Sequence, residues 1–242
     1  KGMPVNPSFL GGPSTTPLDA DDPLLQPIDG IGLPEYAAVA KQAQLRGVTP
    51  AEGMEAIAAE LGGRHAFFAL DVTDEQAWQR VVPEVVARFG RLDILVNAAG
   101  IAKFDDIERT TLADYRTVNA VNSEGTFLGC RAALLAMKTT GGGSIINLSS
   151  VAGLIGVGDA PAYCASKGAV RMLTKSVALH AARKGYNIRC NSVHPSFIDT
   201  PMCDDVIARS ADPEKTRKAF ERAAPLGRAG PVDGGAPLVG DL

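Results

Sequence analysis

Histidine and cysteine are scarce in this 242-residue chain, and there is no large excess of charge of either sign. The three histidines, His65, His180 and His194, are too scattered for a metal-ligand motif, so no metal centre is expected. The four cysteines, at 130, 164, 190 and 203, contain no C-x-x-C pair and lie in or beside apolar segments. That usage predicts buried free thiols rather than disulfides or a zinc site. Lys and Arg number 24 against 27 Asp and Glu, a net charge of −3, which leaves no basic footprint for nucleic acid. No apolar run reaches about 18 residues, so no transmembrane helix is expected. The first residues lack the basic-then-apolar pattern of a secretion signal, and the reading is a cytoplasmic protein.

What is present is a 45 % hydrophobic chain, long enough for one α/β domain with a large core. Residues 1–34 hold seven of the sixteen prolines and read as irregular; residues 35–242 read as a single domain. Helices are predicted at 36–46 and 49–61, the second opened by Thr49-Pro50-Ala51-Glu52 as a capping box. A steady alternation follows. Strands are predicted at 65–70, 92–96, 144–148 and 187–193. Helices are predicted at 74–89, 112–137 (as one or as two nearly joined), 162–183 and within 202–223. Such alternation predicts a parallel sheet covered by helices. Ligands of such sheets bind beyond the carboxyl ends of the strands. Asp71, Asn97, Ser150 and Pro195 each follow a predicted strand.

Of the four tyrosines, only Tyr163 has a lysine four residues on, Lys167. Residues so spaced share a helix face. An ammonium beside a phenol favours phenolate, so Tyr163 is expected to titrate below the usual value of about 10 and to serve as acid or base near neutrality. Ser150, thirteen residues earlier at a strand end, could donate to the same substrate oxygen. The pair alone also fits an ordinary surface helix. The neighbouring motifs change that balance.

Asp71-Val72, Asn97-Ala98-Ala99-Gly100, Asn122-x-x-Gly125, Ser150, Tyr163-x-x-x-Lys167 and Pro195-x-x-Ile198-x-Thr200 follow one another in the order and spacing of a known family. The chain resembles the classical short-chain dehydrogenase/reductases. The resemblance implies a Rossmann-like doubly wound parallel sheet and hydride exchange between a nicotinamide cofactor and a secondary alcohol or ketone. It implies Tyr163 as acid/base, Lys167 as its partner and ribose ligand, Ser150 as the carbonyl-positioning group and Asn122 as holder of a relay water, with Asn119 a competitor. It further implies Asp71 and Val72 at the adenine, Asn97, Ala98, Ala99 and Gly100 at the adenosine and ribose, and Pro195, Ile198 and Thr200 at the nicotinamide. The cofactor implied is NAD, with NADP not excluded; the assembly implied is a tetramer or dimer through the two long helices. The residues around Lys184–His194 and Thr200–Met202 are similar to members acting on hydroxysteroids and alicyclic alcohols.

The pattern breaks in two places. The family's opening glycine loop directs backbone N–H groups at the pyrophosphate, and here only Asp29-Gly30-Ile31-Gly32 survives of it. Near Gly230 the entry to the last helix and strand, Pro225–Gly230, runs directly into Val232-Asp233-Gly234-Gly235. The family's strand order is 3-2-1-4-5-6-7. The expectation is therefore an incomplete sheet with its first, second and last strands missing or altered, and a weakened dinucleotide site. A non-catalytic binding or association module is the alternative reading.

Overall fold

The computed structural model describes residues 65–198, 201–210, 212–223 and 227–230, together with Glu55 and Ala58. The expectations for residues 1–34, the 36–46 helix, Gly30-Ile31-Gly32, Thr200 and Val232–Gly235 lie outside the described residues. Glu55 and Ala58 are helical, as the 49–61 expectation requires. The described residues fall into two compact units, one formed by Phe68–His194 and the other including His65–Phe67 and the residues from Pro195 onward.

In the first unit the chain runs α1 (Glu75–Phe89), β1 (Ile94–Asn97), α2 (Leu112–Asn119), a π-turn (Ala120–Glu124), α3 (Gly125–Met137), β2 (Gly143–Leu148), a 3-10 turn (Val151–Gly153), α4 (Pro161–Lys184) and β3 (Ile188–Val193). The three strands are parallel in the order β1-β2-β3, with Asn97 opposite Asn147 and Asn147 opposite Ser192. This is the parallel sheet that the alternation predicts and the α/β Rossmann-like arrangement that the resemblance implies, and the three strands lie within one or two residues of their expected bounds.

Local chemistry sets the boundaries. Asp74 caps α1 by accepting from the Gln76 amide. Thr111 caps α2 through the Asp114 amide. Pro161 opens α4 at the position where a missing N–H costs nothing, and Gly185 closes it in the left-handed conformation at φ 65°. The core joins Trp78 and Val82 of α1, Leu95 of β1, Cys130, Ala133 and Met137 of α3, Ile145 of β2 and Ile188 of β3. Two glycines let α3 approach that closely. A Cβ on Gly125 would sit 2.8 Å from the Val72 side chain, and one on Gly129 would sit 2.3 Å from Asn97 Oδ1.

One expectation is corrected. Residues 65–70 form no strand. A strand exists only through a ladder with a neighbour, and β1 pairs with β2 alone among the described residues. The β-prone composition of Ala66–Leu70 has no partner on which to act.

The second unit contains α5 (Pro201–Arg209) and α6 (Pro213–Ala223), so the helical expectation for 202–223 resolves into two helices. Ile198 bridges to Gly230, Phe197 stacks on Phe220 at 4.2 Å between centroids, and Arg217 pairs with Asp204.

Candidate active site

The carboxyl ends of β1 and β2 carry two kinds of polar residue. Asn97 and Asn147 occupy matching positions and point to the helix side of the sheet. Asn97 Nδ2 donates to Asn147 Oδ1 at 2.8 Å, and Asn147 Nδ2 donates to Thr174 Oγ1 at 2.9 Å, which in turn donates to Val170 O. Cys130 donates to Asn147 Oδ1 at 3.4 Å, while Cys190 accepts from Asn147 Nδ2 at 3.6 Å. Cys130's sulfur and burial push the Cys190 thiol up, so it stays protonated. Every member of this cluster has a partner. The Asn97 side chain is thus committed to the core, and what Asn97-Ala98-Ala99-Gly100 leaves accessible is the partly exposed run of Ala98, Ala99 and Gly100.

One step beyond lies a different cluster. Lys167, 5 % exposed, crosses from α4 to donate its ammonium to Leu148 O at 2.7 Å. Its Nζ lies 5.6 Å from the centre of the half-buried Tyr163 ring. The i,i+4 expectation therefore holds: both side chains lie on one helix face. Among the described residues no carboxylate pairs with Lys167, and burial alone lowers its pKa from 10.5 to about 8. Phe104 stands beside the Tyr163 ring at 6.3 Å.

Ser150 caps the 3-10 turn that follows β2. Its Oγ accepts from Ala152 N at 3.1 Å, which leaves the O–H to donate. The turn is pinned to α4 near Lys167, because Ser149 Oγ donates to Lys167 O at 2.8 Å. A Cβ on Gly153 would lie 2.7 Å from that same carbonyl.

Asn122 sits in the π-turn, a rare local widening that often marks functional positions. It is buried, while Asn119 is half-buried and bonds only along its own helix, to Tyr115 O and Ser123. Asn122 Oδ1 accepts from Ile101 N, and its Nδ2 donates to Ile101 O and Ser166 Oγ, each at 2.9 Å. This clamp holds Gly100 so that a Cβ there would touch Lys167 Nζ at 3.4 Å and Asn122 Oδ1 at 3.5 Å.

Asn122, Gly100, Tyr163 and Lys167 are thus linked, and Ser150 lies on the turn that Ser149 ties to the Lys167 carbonyl. Asp71 and Val72 have other duties in the described contacts. Asp71 accepts from the Thr73 amide and hydroxyl in the turn before α1, and Val72 is buried against Gly125 while its carbonyl accepts from Trp78 Nε1. Pro195 and Ile198 belong to the second unit. Sequence reasoning missed the Asn147 and Thr174 anchors, the Ser149 and Ser166 ties, Phe104 and His194. The readable signal was a polar residue at the same point of two apolar strands, Val96-Asn97 and Ile146-Asn147.

The family model described as enoyl-(acyl carrier protein) reductase matches residues 38–239. The chain belongs to the short-chain dehydrogenase/reductase family. It is 42 % identical to the 3-beta-hydroxysteroid dehydrogenase of Comamonas testosteroni over 65 % of this chain and 62 % of that one. It is also 42 % identical to the NADP-dependent (R)-specific alcohol dehydrogenase of Lentilactobacillus kefiri, over 63 % and 62 %. The trans-4-hydroxycyclohexanecarboxylate dehydrogenase of Sinomonas cyclohexanicum is 47 % identical over 56 % of this chain and 51 % of its own. The matched region thus spans about three-fifths of the length of such relatives. Among the described residues no helix is long and apolar enough to cross a membrane, and no cluster of potential metal ligands occurs.

The described cluster suits the ribose end of a nicotinamide dinucleotide. An ammonium has three N–H donors, and Leu148 O takes one of those of Lys167. The two remaining N–H groups can donate to hydroxyl oxygens such as those of a ribose.

Proposed function

We propose that this chain is an oxidoreductase that exchanges hydride between a nicotinamide dinucleotide and a secondary alcohol or ketone. The observation that carries the reading is Tyr163 beside buried Lys167 and Gly100, with Ser150 on the adjoining turn, supported by family membership. The cofactor, when bound, accepts or supplies the hydride. Tyr163 takes the hydroxyl proton of the alcohol, or gives one to the ketone oxygen. Lys167 holds positive charge near the phenol and reaches the ribose hydroxyls. Ser150 donates to the substrate oxygen, and Asn122 fixes Gly100 and Ile101 above Lys167, with a relay water its further expected role. Ala98, Ala99 and Gly100 line the cofactor, and Asp71, Val72, Pro195, Ile198 and Thr200 are assigned to it by motif.

NAD is the cofactor proposed, NADP being open. Apolar alicyclic alcohols or hydroxysteroids are the substrate class, in line with the relatives and with Phe104 beside Tyr163. The free cysteines suit a reducing compartment, and the cytoplasm is the proposed location. Exposed Phe127 and Leu135 on α3 and Met172 and Leu179 on α4 support a homodimer or tetramer, which sedimentation velocity measures directly.

Two experiments test the reading. Titration followed by nicotinamide fluorescence reports cofactor binding, and turnover of cyclohexanol- and steroid-type alcohols reports chemistry. Tyr163→Phe removes one hydroxyl and is expected to lower kcat by at least about 10³-fold with unchanged cofactor-independent stability. Binding without turnover in the parent chain would favour the association-module reading; retained turnover in Tyr163→Phe would require another acid.

A further inference from the structure

His194 is the first residue after β3, and no motif assigns it a role. Its ring lies between two partners. Nδ1 is 3.1 Å from Ser150 O, and Nε2 is 3.0 Å from Ser192 Oγ. A carbonyl oxygen only accepts, so Nδ1 must carry the hydrogen. In the neutral ring Nε2 is then the acceptor, and Ser192 donates. For the neutral ring, these two partners assign the Nδ1–H tautomer.

The place of this contact gives it consequence. Ser149 N donates to Val193 O at 2.9 Å, extending the β2–β3 pairing beyond the strands. Ser150 O takes a second hydrogen bond, from Gly153 N at 2.9 Å. With His194 on the other lone pair, the Ser150 peptide is held from the 3-10 turn and from β3 together. That peptide sets where the Ser150 hydroxyl points. His194 is also bonded covalently to Pro195, the start of the segment assigned to the nicotinamide.

We propose that His194 is a positioning residue that, as the Nδ1–H tautomer buttressed by Ser192, holds the Ser150 carbonyl and so aims the Ser150 hydroxyl at the substrate oxygen. The catalytic part of this inference rests on the oxidoreductase reading; the anchoring part does not.

The experiment separates the two. Long-range ¹⁵N–¹H correlation spectra of the full chain at alkaline pH should show His194 with Nδ1 protonated, a signature that a ring in loose contact would not give. In His194→Ala the Ala152 amide, which is bonded to Ser150 Oγ, should lose most of its hydrogen-exchange protection while amides in the middle of α4 keep theirs. His194→Asn, which can return one donor at the Nδ1 position, should restore that protection. For turnover, His194→Ala should lower kcat about tenfold with KM moved less than about twofold, because the interaction matters most in the transition state. His194→Asn should recover most of the loss. An Nε2–H tautomer, or unchanged Ala152 protection in His194→Ala, overturns the anchoring. Anchoring intact with kcat unchanged overturns the positioning of Ser150. Absence of turnover in the parent chain defeats the oxidoreductase reading and the catalytic half with it, while the spectra still decide the anchor.

Discussion

Two buried polar clusters lie side by side at the carboxyl ends of β1 and β2, and they are built on opposite rules. Around Asn147 each polar atom has a neighbour of the matching kind: Asn97, Thr174, Cys130 and Cys190 close on one amide. Around Lys167, among the described residues, a charge is buried with one carbonyl and one aromatic ring for company. The closed cluster ties α3 and α4 to the sheet and adds stability. The open one opposes stability, since an ammonium taken out of water without a counter-ion is unfavourable. A fold keeps such a group where a ligand completes it, and satisfaction of hydrogen bonds therefore separates scaffold from site more clearly than polarity does.

The comparison predicts opposite responses to removing a polar group. Asn147→Ala should be the most damaging. It takes away the oxygen that the Asn97 amide donates to and the donor that Thr174 Oγ1 accepts from, and urea unfolding should show a loss of about 3 kcal/mol. Gly129→Ala tests the same cluster from the helix side. The added Cβ would lie 2.3 Å from Asn97 Oδ1 and 3.0 Å from the Trp78 ring, so α3 or Asn97 must shift, at about 2 kcal/mol by thermal or urea unfolding. Lys167→Met should go the other way. It should abolish turnover yet stabilise the chain by about 1–2 kcal/mol at pH 7, the lost bond to Leu148 O offsetting part of the relief.

The open cluster was easier to read in the sequence than the closed one. Tyr163 and Lys167 announce themselves because a four-residue spacing fixes a shared helix face, and Ser150 because the apolar run Ile145–Leu148 ends beside it. Asn147 was hidden by that same run, since its partners Cys130, Thr174 and Cys190 are distant in sequence and meet only through the strand register. Asn122 was legible by its spacing to Gly125. The π-turn that aims it was not, because a single extra residue in a helical turn leaves no mark on a pattern with so few polar positions. The strand expected at 65–70 failed for a related reason. Its side chains suit a sheet, but pairing is decided by a neighbour, and composition says nothing of whether one is there.

The central claim is that Lys167 is held as a buried ammonium with no carboxylate partner among the described residues, at the expense of stability. Its pKa is lowered by burial from 10.5 to about 8. Between those values the unfolded chain binds a proton that the folded chain has released, so stability must rise with pH through that window. Below about pH 8 both states are protonated, and the full penalty of about 3 kcal/mol applies. The decisive measurement is urea unfolding of the parent chain and of Lys167→Met from pH 7 to pH 9.5, taken as a difference so that the other titrating groups largely cancel. The parent should gain about 2 kcal/mol relative to Lys167→Met across that range. Parallel curves, or a parent that loses ground as pH rises, would show that Lys167 is paired or solvated and would contradict the account.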